Sequence, residues 1–164
     1  MLAMAKKKQV PLVLSEEEGE AFWYDGSLVL FRATNAQTGG VFSMIELEAP
    51  RDTETPLHVH EREAETFVVM AGELDVVVAG ETFMARAGHM VVSPAGTEHA
   101  FRVATSFARL MFVYTPGTDA ETFFRAVGDP AGYRGLPPPA PIDAERGQSA
   151  AGKAHMKVIG PARF

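Results

Sequence analysis

The sequence predicts an all-β core followed by a short helical extension, and three observations carry that prediction. From about residue 10 to residue 115, short β-type runs rich in Val, Phe, Leu and Thr recur at close intervals. Turn signals separate them: Gly39-Gly40, Ala71-Gly72, Ala79-Gly80 and Ser93-Pro94-Ala95-Gly96. At each, glycine's freedom or proline's fixed φ bends the chain. After Thr115 the pattern changes to a helix-capping sequence and then a proline-rich tract. Many short strands at this spacing argue for a sandwich or barrel rather than βαβ units.

In chain order, the strands read as Ser27 to Ala33, Val41 to Glu48, Glu65 to Met70 and Leu74 to Val78. Thr82 to Ala85, Met90 to Val92, His99 to Val103 and Arg109 to Tyr114 complete the set. Thr118-Asp119-Ala120-Glu121 has the form of a capping box, with Thr at N-cap and Glu at N3. It opens a helix through Phe123, Phe124 and Val127 that Gly128 and Pro130 close. Leu136 to Pro141 is stiff and extended, a second helix fits between Ile142 and Ala154, and Met156 to Ile159 suits a final strand. At 164 residues the chain is one domain, given the usual ~100–200 residues. The barrel takes about 10–115 and the extension about 116–164. Trp23, Phe22 and Tyr24 read as packing or interface residues.

Charge and composition exclude several function classes. Lys+Arg 15 against Asp+Glu 21 leaves a net charge of −6, the wrong sign for phosphate backbones, so no nucleic-acid partner is expected. The run Lys6-Lys7-Lys8 reads as a solvated tail. With no cysteine there is no disulfide framework, thiolate metal site or cysteine nucleophile. No apolar stretch approaches the ~18 residues of a membrane span. Val10 to Leu14 is too short for a signal-peptide core and is closed by Glu16-Glu17-Glu18. A cytoplasmic protein is expected, and the same apolar segment, needing a surface to cover it, predicts a homodimer.

The chemistry concentrates in three histidines and one glutamate. His58 and His60 are two apart, so on an extended strand both imidazoles face one way. Glu65 opens the row Glu65, Phe67, Val69, whose apolar members mark the interior face. A carboxylate there is costly unless a cation meets it. His99 shares parity with Phe101 and Val103 and follows a Pro-Gly turn that can set it opposite the first pair. Three imidazoles and a carboxylate leave one or two positions open on a divalent ion, as catalytic sites do. The set suits Fe, Mn, Ni, Zn or Cu alike. Glu63 is the alternative carboxylate, since strand starts shift by a residue or two; His89 and His155 fall outside the inward rows.

Pro56 to Leu74, with His58-x-His60, Glu65 and Gly72, resembles the first motif of the cupin family. Gly88, Pro94-x-Gly96 and His99 resemble the second. The resemblance implies a cupin-type jelly-roll β-barrel, a fold known for cupins. Two positions depart from the motifs: Asp52 stands where a glycine is expected, and Val103 where an asparagine is. Glu18 to Gly26, Thr38-Gly39-Gly40, Phe123 to Pro130 and Ile159-Gly160-Pro161 are similar to bacterial single-domain cupins of the quercetin 2,3-dioxygenase type.

These readings predict a metal-dependent oxygenase for a small aromatic or enolic substrate, with Glu65 as base and His58, His60, Glu65 and His99 as metal ligands. Phe67, Val69, Phe101 and Val103 are expected to wall the substrate pocket. With no Lys or Arg in those rows, a phosphorylated sugar does not suit it. The alternatives are a metallo-cupin isomerase or cyclase, and a non-enzymatic binding cupin. Gly147 to Lys153 imitates a phosphate-binding loop, but Ala154 replaces the needed Ser or Thr and no strand precedes it.

Overall fold

The structure, a computed structural model, describes residues 11–164. In chain order come β1 (Glu20–Tyr24), β2 (Ser27–Ala33), β3 (Ser43–Pro50), β4 (Leu57–His60), β5 (Ala64–Ala71) and β6 (Glu73–Val78). Then follow β7 (Glu81–Arg86), β8 (Met90–Ser93), β9 (His99–Val103) and β10 (Phe107–Thr115). The extension holds α1 (Thr118–Val127), β11 (Asp129–Pro130), α2 (Ala144–Lys153) and β12 (Met156–Gly160). Two antiparallel sheets face each other, one ordered β11-β1-β2-β3-β10-β5-β8, the other β12-β4-β9-β6-β7. The predicted all-β, jelly-roll architecture is the observed one.

Period-two alternation builds the core. Along β10, Ala108, Leu110, Phe112 and Tyr114 are buried while their neighbours reach toward solvent. Glu65, Phe67 and Val69 do the same on β5, and on β9 Phe101 and Val103 are buried on either side of the half-buried Arg102. Phe67, Phe101 and Phe112 meet between the sheets with ring centroids 5.3–6.0 Å apart. Each such ring contributes roughly 1.5–3 kcal/mol by leaving water. Gly72, at φ +84°, makes the β5–β6 turn; a Cβ there would run into the Phe107 carbonyl. Asp52, where the motif expects glycine, sits at φ +66°. The position asks for left-handed backbone, which Asp tolerates better than most residues.

Three details differ from the sequence-based expectation. β1 and β11 pair through Phe22–Pro130 and Trp23–Asp129, contacts that no local pattern announces. Val41 is left exposed and β3 begins at Ser43, because Gly39 and Gly40 keep the preceding loop in left-handed conformations. The capping box does not form: Gly117, at φ +91°, is the N-cap of α1 and no side chain at that position caps the helix. Glu121 instead accepts the N–H of Asn35. The phosphate-loop look-alike, by contrast, lies on α2, the second helix expected there, whose N-cap Asp143 accepts the Arg146 N–H at 2.9 Å.

The extension folds back on the barrel. Trp23 donates to the Gly135 carbonyl at 3.0 Å and packs edge-on against Tyr133. β12 pairs antiparallel with β4, setting Met156 against His60 and Val158 against His58. Among the described residues no helix is long and apolar enough to cross a membrane.

Candidate metal centre and its cavity

Three short elements bring the four predicted residues together. His58 and His60 project from β4, Glu65 from the second position of β5, and His99 from the first of β9. His58 and His99 are direct cross-strand partners. One ligand atom from each of the four lies within 4.8 Å of every other, and all four residues are buried. Glu65 Oε2 lies 3.2 Å from His60 Nε2, and its Oε1 lies 3.5 Å from His99 Nε2.

The imidazoles are oriented from behind. His58 Nδ1 lies 2.8 Å from the Pro56 carbonyl and His99 Nδ1 lies 2.8 Å from that of Thr97. A carbonyl can only accept, so each Nδ1 carries the proton and each Nε2 is left as a lone-pair donor. Among the described residues, Nε2 of His60 and His99 and Nδ1 of His60 are buried without hydrogen-bond partners. Such orphaned nitrogens are costly unless something else meets them. Three nitrogens and a carboxylate, with no thiolate, fit a divalent first-row transition ion.

The electrostatics agree with that fit. Burial, helped by the facing His99 imidazole, pushes His58 down to about 4, so it stays neutral and able to ligate. Burial alone would push the Glu65 carboxyl up, but the His60 and His99 imidazoles outweigh it and hold Glu65 well below the usual range. His99 is pulled down by burial and raised more strongly by Glu65. Burial and the Glu65 carboxylate push the Tyr114 phenol well up, so it remains a proton donor.

The cluster opens onto a cavity of about 970 Å³. His58, His60, Glu65 and Phe101 line it, and His99, 3% exposed, stands behind them. Phe67, Val69 and Val103, expected in the wall, are not part of it. Successive inward residues on a strand step ~6–7 Å away from the mouth, so these three lie deeper, packed in the core. The wall is built instead from Phe112 and Tyr114 of β10, Tyr24 of β1, and Phe123 and Phe124 of α1. The parity of Phe112 and Tyr114 with Leu110 was a readable signal for the first two. Nothing local signals that α1 closes over the mouth. Arg51 stands at the rim, its guanidinium turned to the Ala104 carbonyl.

Glu63 is not in the cluster. Its carboxylate, 1% exposed, accepts the N–H groups of Asp119 and Ala120 at 2.7 and 2.9 Å, capping α1 from the β4–β5 loop. His89 accepts the Arg86 N–H, and His155 faces Asp119 at 3.4 Å.

Residues 44–115 match the cupin domain family, a span that holds β3 to β10 and all four clustered residues. The chain carries a cupin domain. This cupin is 28% identical to quercetin 2,3-dioxygenase of Bacillus subtilis (strain 168) over 159 residues, 96% of the chain and 47% of that protein. It therefore spans about half the length of that relative. Among solved structures, it is similar to KdgF from Halomonas sp. (TM-score 0.60, 18% identity, 68% of this chain and 98% of that one). A predicted oxalate decarboxylase from Thermotoga maritima gives a TM-score of 0.59 at 15% identity, covering 63% of this cupin and 98% of that chain. An RmlC-like cupin from Shewanella frigidimarina gives 0.58 at 17% identity, covering 70% and 99%. At these identities the structural likeness shows the fold alone.

Proposed function

We propose that this cupin is a metal-dependent oxygenase acting on a small aromatic or enolic molecule, with His58, His60, Glu65 and His99 holding one divalent ion. The observation that carries the reading is the cluster's position: three imidazoles and a carboxylate open directly onto an aromatic-walled cavity. The 28% identity with quercetin 2,3-dioxygenase, running through 96% of the chain, supports the oxygenase class.

An ion held there would supply a Lewis acid for the substrate's oxygens and a redox partner for dioxygen. The chain's own residues do the rest. Glu65 takes the proton of the substrate's enol hydroxyl on a carboxylate oxygen and later returns it. Tyr114, kept protonated and 5.6 Å from the His60 ring between centroids, can hold a substrate oxygen by a hydrogen bond. The rings of Phe101, Phe112 and Tyr24 hold a flat molecule by stacking and exclude water.

The test is an assay of quercetin on protein reconstituted separately with Fe, Mn, Ni, Zn and Cu, with and without air. Oxygen uptake with release of carbon monoxide is expected. Conversion at an equal rate without dioxygen would replace the oxygenase with an isomerase or cyclase, and binding without turnover would leave a ligand-binding cupin.

We also propose a homodimer. Val10 of the segment that suggested it lies outside the described residues. Leu12 and Val13 are exposed, and Leu12 lies beside Met44, Met70 and Met111 on the outer face of the larger sheet. Val68, Met70, Met90 and Val92 continue an exposed apolar surface there, and contiguous apolar surface of this kind marks interaction sites. Light scattering at micromolar concentration should give twice the chain mass.

A further inference from the structure

We infer that helix α1, which lies outside the matched cupin segment, is the specificity wall of this site, held in register with the metal-ligand loop by Glu63. The inference rests on the proposed metal site and assigns to the extension the choice of which molecule reaches it.

Three observations converge on α1. Phe123 and Phe124 line the same cavity as His58, His60 and Glu65, and with Tyr24 they form a mutual edge-on group at centroid distances of 5.3–6.3 Å. They belong to the extension rather than to the barrel's own strands, and the rest of the extension lines the same cavity through Ile142, Ala151 of α2 and Val158 of β12.

The loop between β4 and β5, Glu61 to Glu63, is tied to the extension at each of its three residues. Glu61 donates its N–H to the His155 carbonyl at 3.0 Å. Arg62 reaches the Asp119 carboxylate with two nitrogens. The buried Glu63 carboxylate accepts the two N–H groups at the start of α1. Charged hydrogen bonds at a helix N-terminus are the stronger kind. They fix the height of α1 over the site rather than merely the helix itself.

The third observation is the seat of α1. Gly117, just before it, packs so closely on Ser43 that a Cβ would overlap the Ser43 backbone nitrogen, and Ser43 Oγ donates to the Gly117 carbonyl at 3.1 Å. The helix is therefore pinned at its N-terminus by β3 and by the ligand loop together. Glu63 is in this scheme a positioning residue, while Phe123 and Phe124 select.

The experiment uses the full chain loaded with cobalt(II) and follows the d–d band during titration with tropolone, a small chelating enol, and with 3-hydroxyflavone, a larger one. Phe124→Ala should change 3-hydroxyflavone affinity at least ~10-fold, as for loss of a packed aromatic contact, while tropolone affinity stays within about twofold. Phe124→Leu, a milder change, covers the case of poor folding and should shift the ratio in the same direction. Glu63→Gln should lower 3-hydroxyflavone affinity without lowering cobalt affinity, and Glu63→Asp should restore part of it.

Equal changes for the two probes, or none for either, would overturn the wall. Loss of cobalt in Glu63→Gln would make Glu63 a ligand and overturn its positioning role. Wild-type protein that takes tropolone but refuses 3-hydroxyflavone would count against the flavonol-like substrate class alone. In that event, Phe124→Ala admitting the flavonol would support α1 as the excluding wall, and continued refusal would overturn it.

Discussion

Two glutamates on the strands that flank β10 in the same sheet are almost equally buried and have opposite surroundings. Glu46 of β3, 1% exposed, lies on the outer face between Arg32, whose Nε is 2.7 Å from Oε2, and Arg109, bonded to Oε1. Burial pushes its carboxyl up, the two guanidiniums outweigh that, and it ends below its ordinary value. Glu65 of β5, 4% exposed, meets the His60 and His99 imidazoles and the Tyr114 phenol, and among the described residues Nε2 of His60 and of His99 has no hydrogen-bond partner. Each carboxylate needs positive charge to be tolerated away from water. For Glu46 the chain supplies that charge permanently. For Glu65 it supplies lone pairs instead, which suits an exchangeable ion. Under the proposed function, the contrast separates a carboxylate that holds the fold from one kept for chemistry.

The sharpest break of the comparison is kinetic. Glu65→Gln should slow turnover by ~10²–10⁴-fold, the range for losing a general base, whereas Glu46→Gln should leave turnover within a few fold. Steady-state rates with metal content measured on the same samples decide it. A Glu65→Gln enzyme of full metal content and normal rate would sink the base assignment.

Stability should sort the pair the other way. Glu46→Gln leaves two guanidiniums facing each other and should cost about 3–5 kcal/mol, as for one partner removed from a buried ion pair. Urea unfolding of the metal-free proteins measures it, and Glu65→Gln should cost much less. Equal losses would erase the distinction.

The pH dependence of the metal-free protein tests the lone-pair side. His58 sits at about 4 against an ordinary 6.5. Between those values the unfolded chain binds a proton that the native one refuses, so stability falls as pH drops from about 6.5 to about 4. The loss should reach up to about 3 kcal/mol. His99 is raised, and its contribution fades only as pH climbs past its raised value, outside this window. Chemical denaturation at pH 7 and pH 4.5 should show the fall in wild type and a smaller one in His58→Ala. A flat profile in wild type would mean the imidazole is not held neutral.

Metal content gives the last test. His58→Ala should fall well short of full occupancy and Glu46→Gln should match wild type, by elemental analysis after dialysis. Loaded protein should also release its ion in acid, because protonated imidazoles cannot ligate.

How much of this was readable from the chain depends on the range of the interaction. Side-chain direction on a strand repeats every two residues, so the inward rows Glu65-Phe67-Val69 and His99-Phe101-Val103 were determined locally. So were the four clustered residues, because their parity and spacing place them on inner faces before any contact is known. Depth was not. Only the assembled barrel decided that Phe67, Val69 and Val103 lie below the cavity and that Phe112, Tyr114 and Tyr24 wall it.

The extension shows the same limit more strongly. The sequence by itself determined that two helices and a strand follow the barrel, since capping chemistry, glycine and proline act within a few residues. Where those elements land was decided by partners far away in the chain. Thr118 and Glu121 had a capping box available, yet the fold placed Glu63 against the helix N-terminus, 56 residues from Asp119. A buried carboxylate must find N–H groups; the exposed Thr118 need not, and the half-buried Glu121 has the Asn35 N–H instead. The desolvated group therefore took the helix end, a choice made only once β4, β5 and α1 had met.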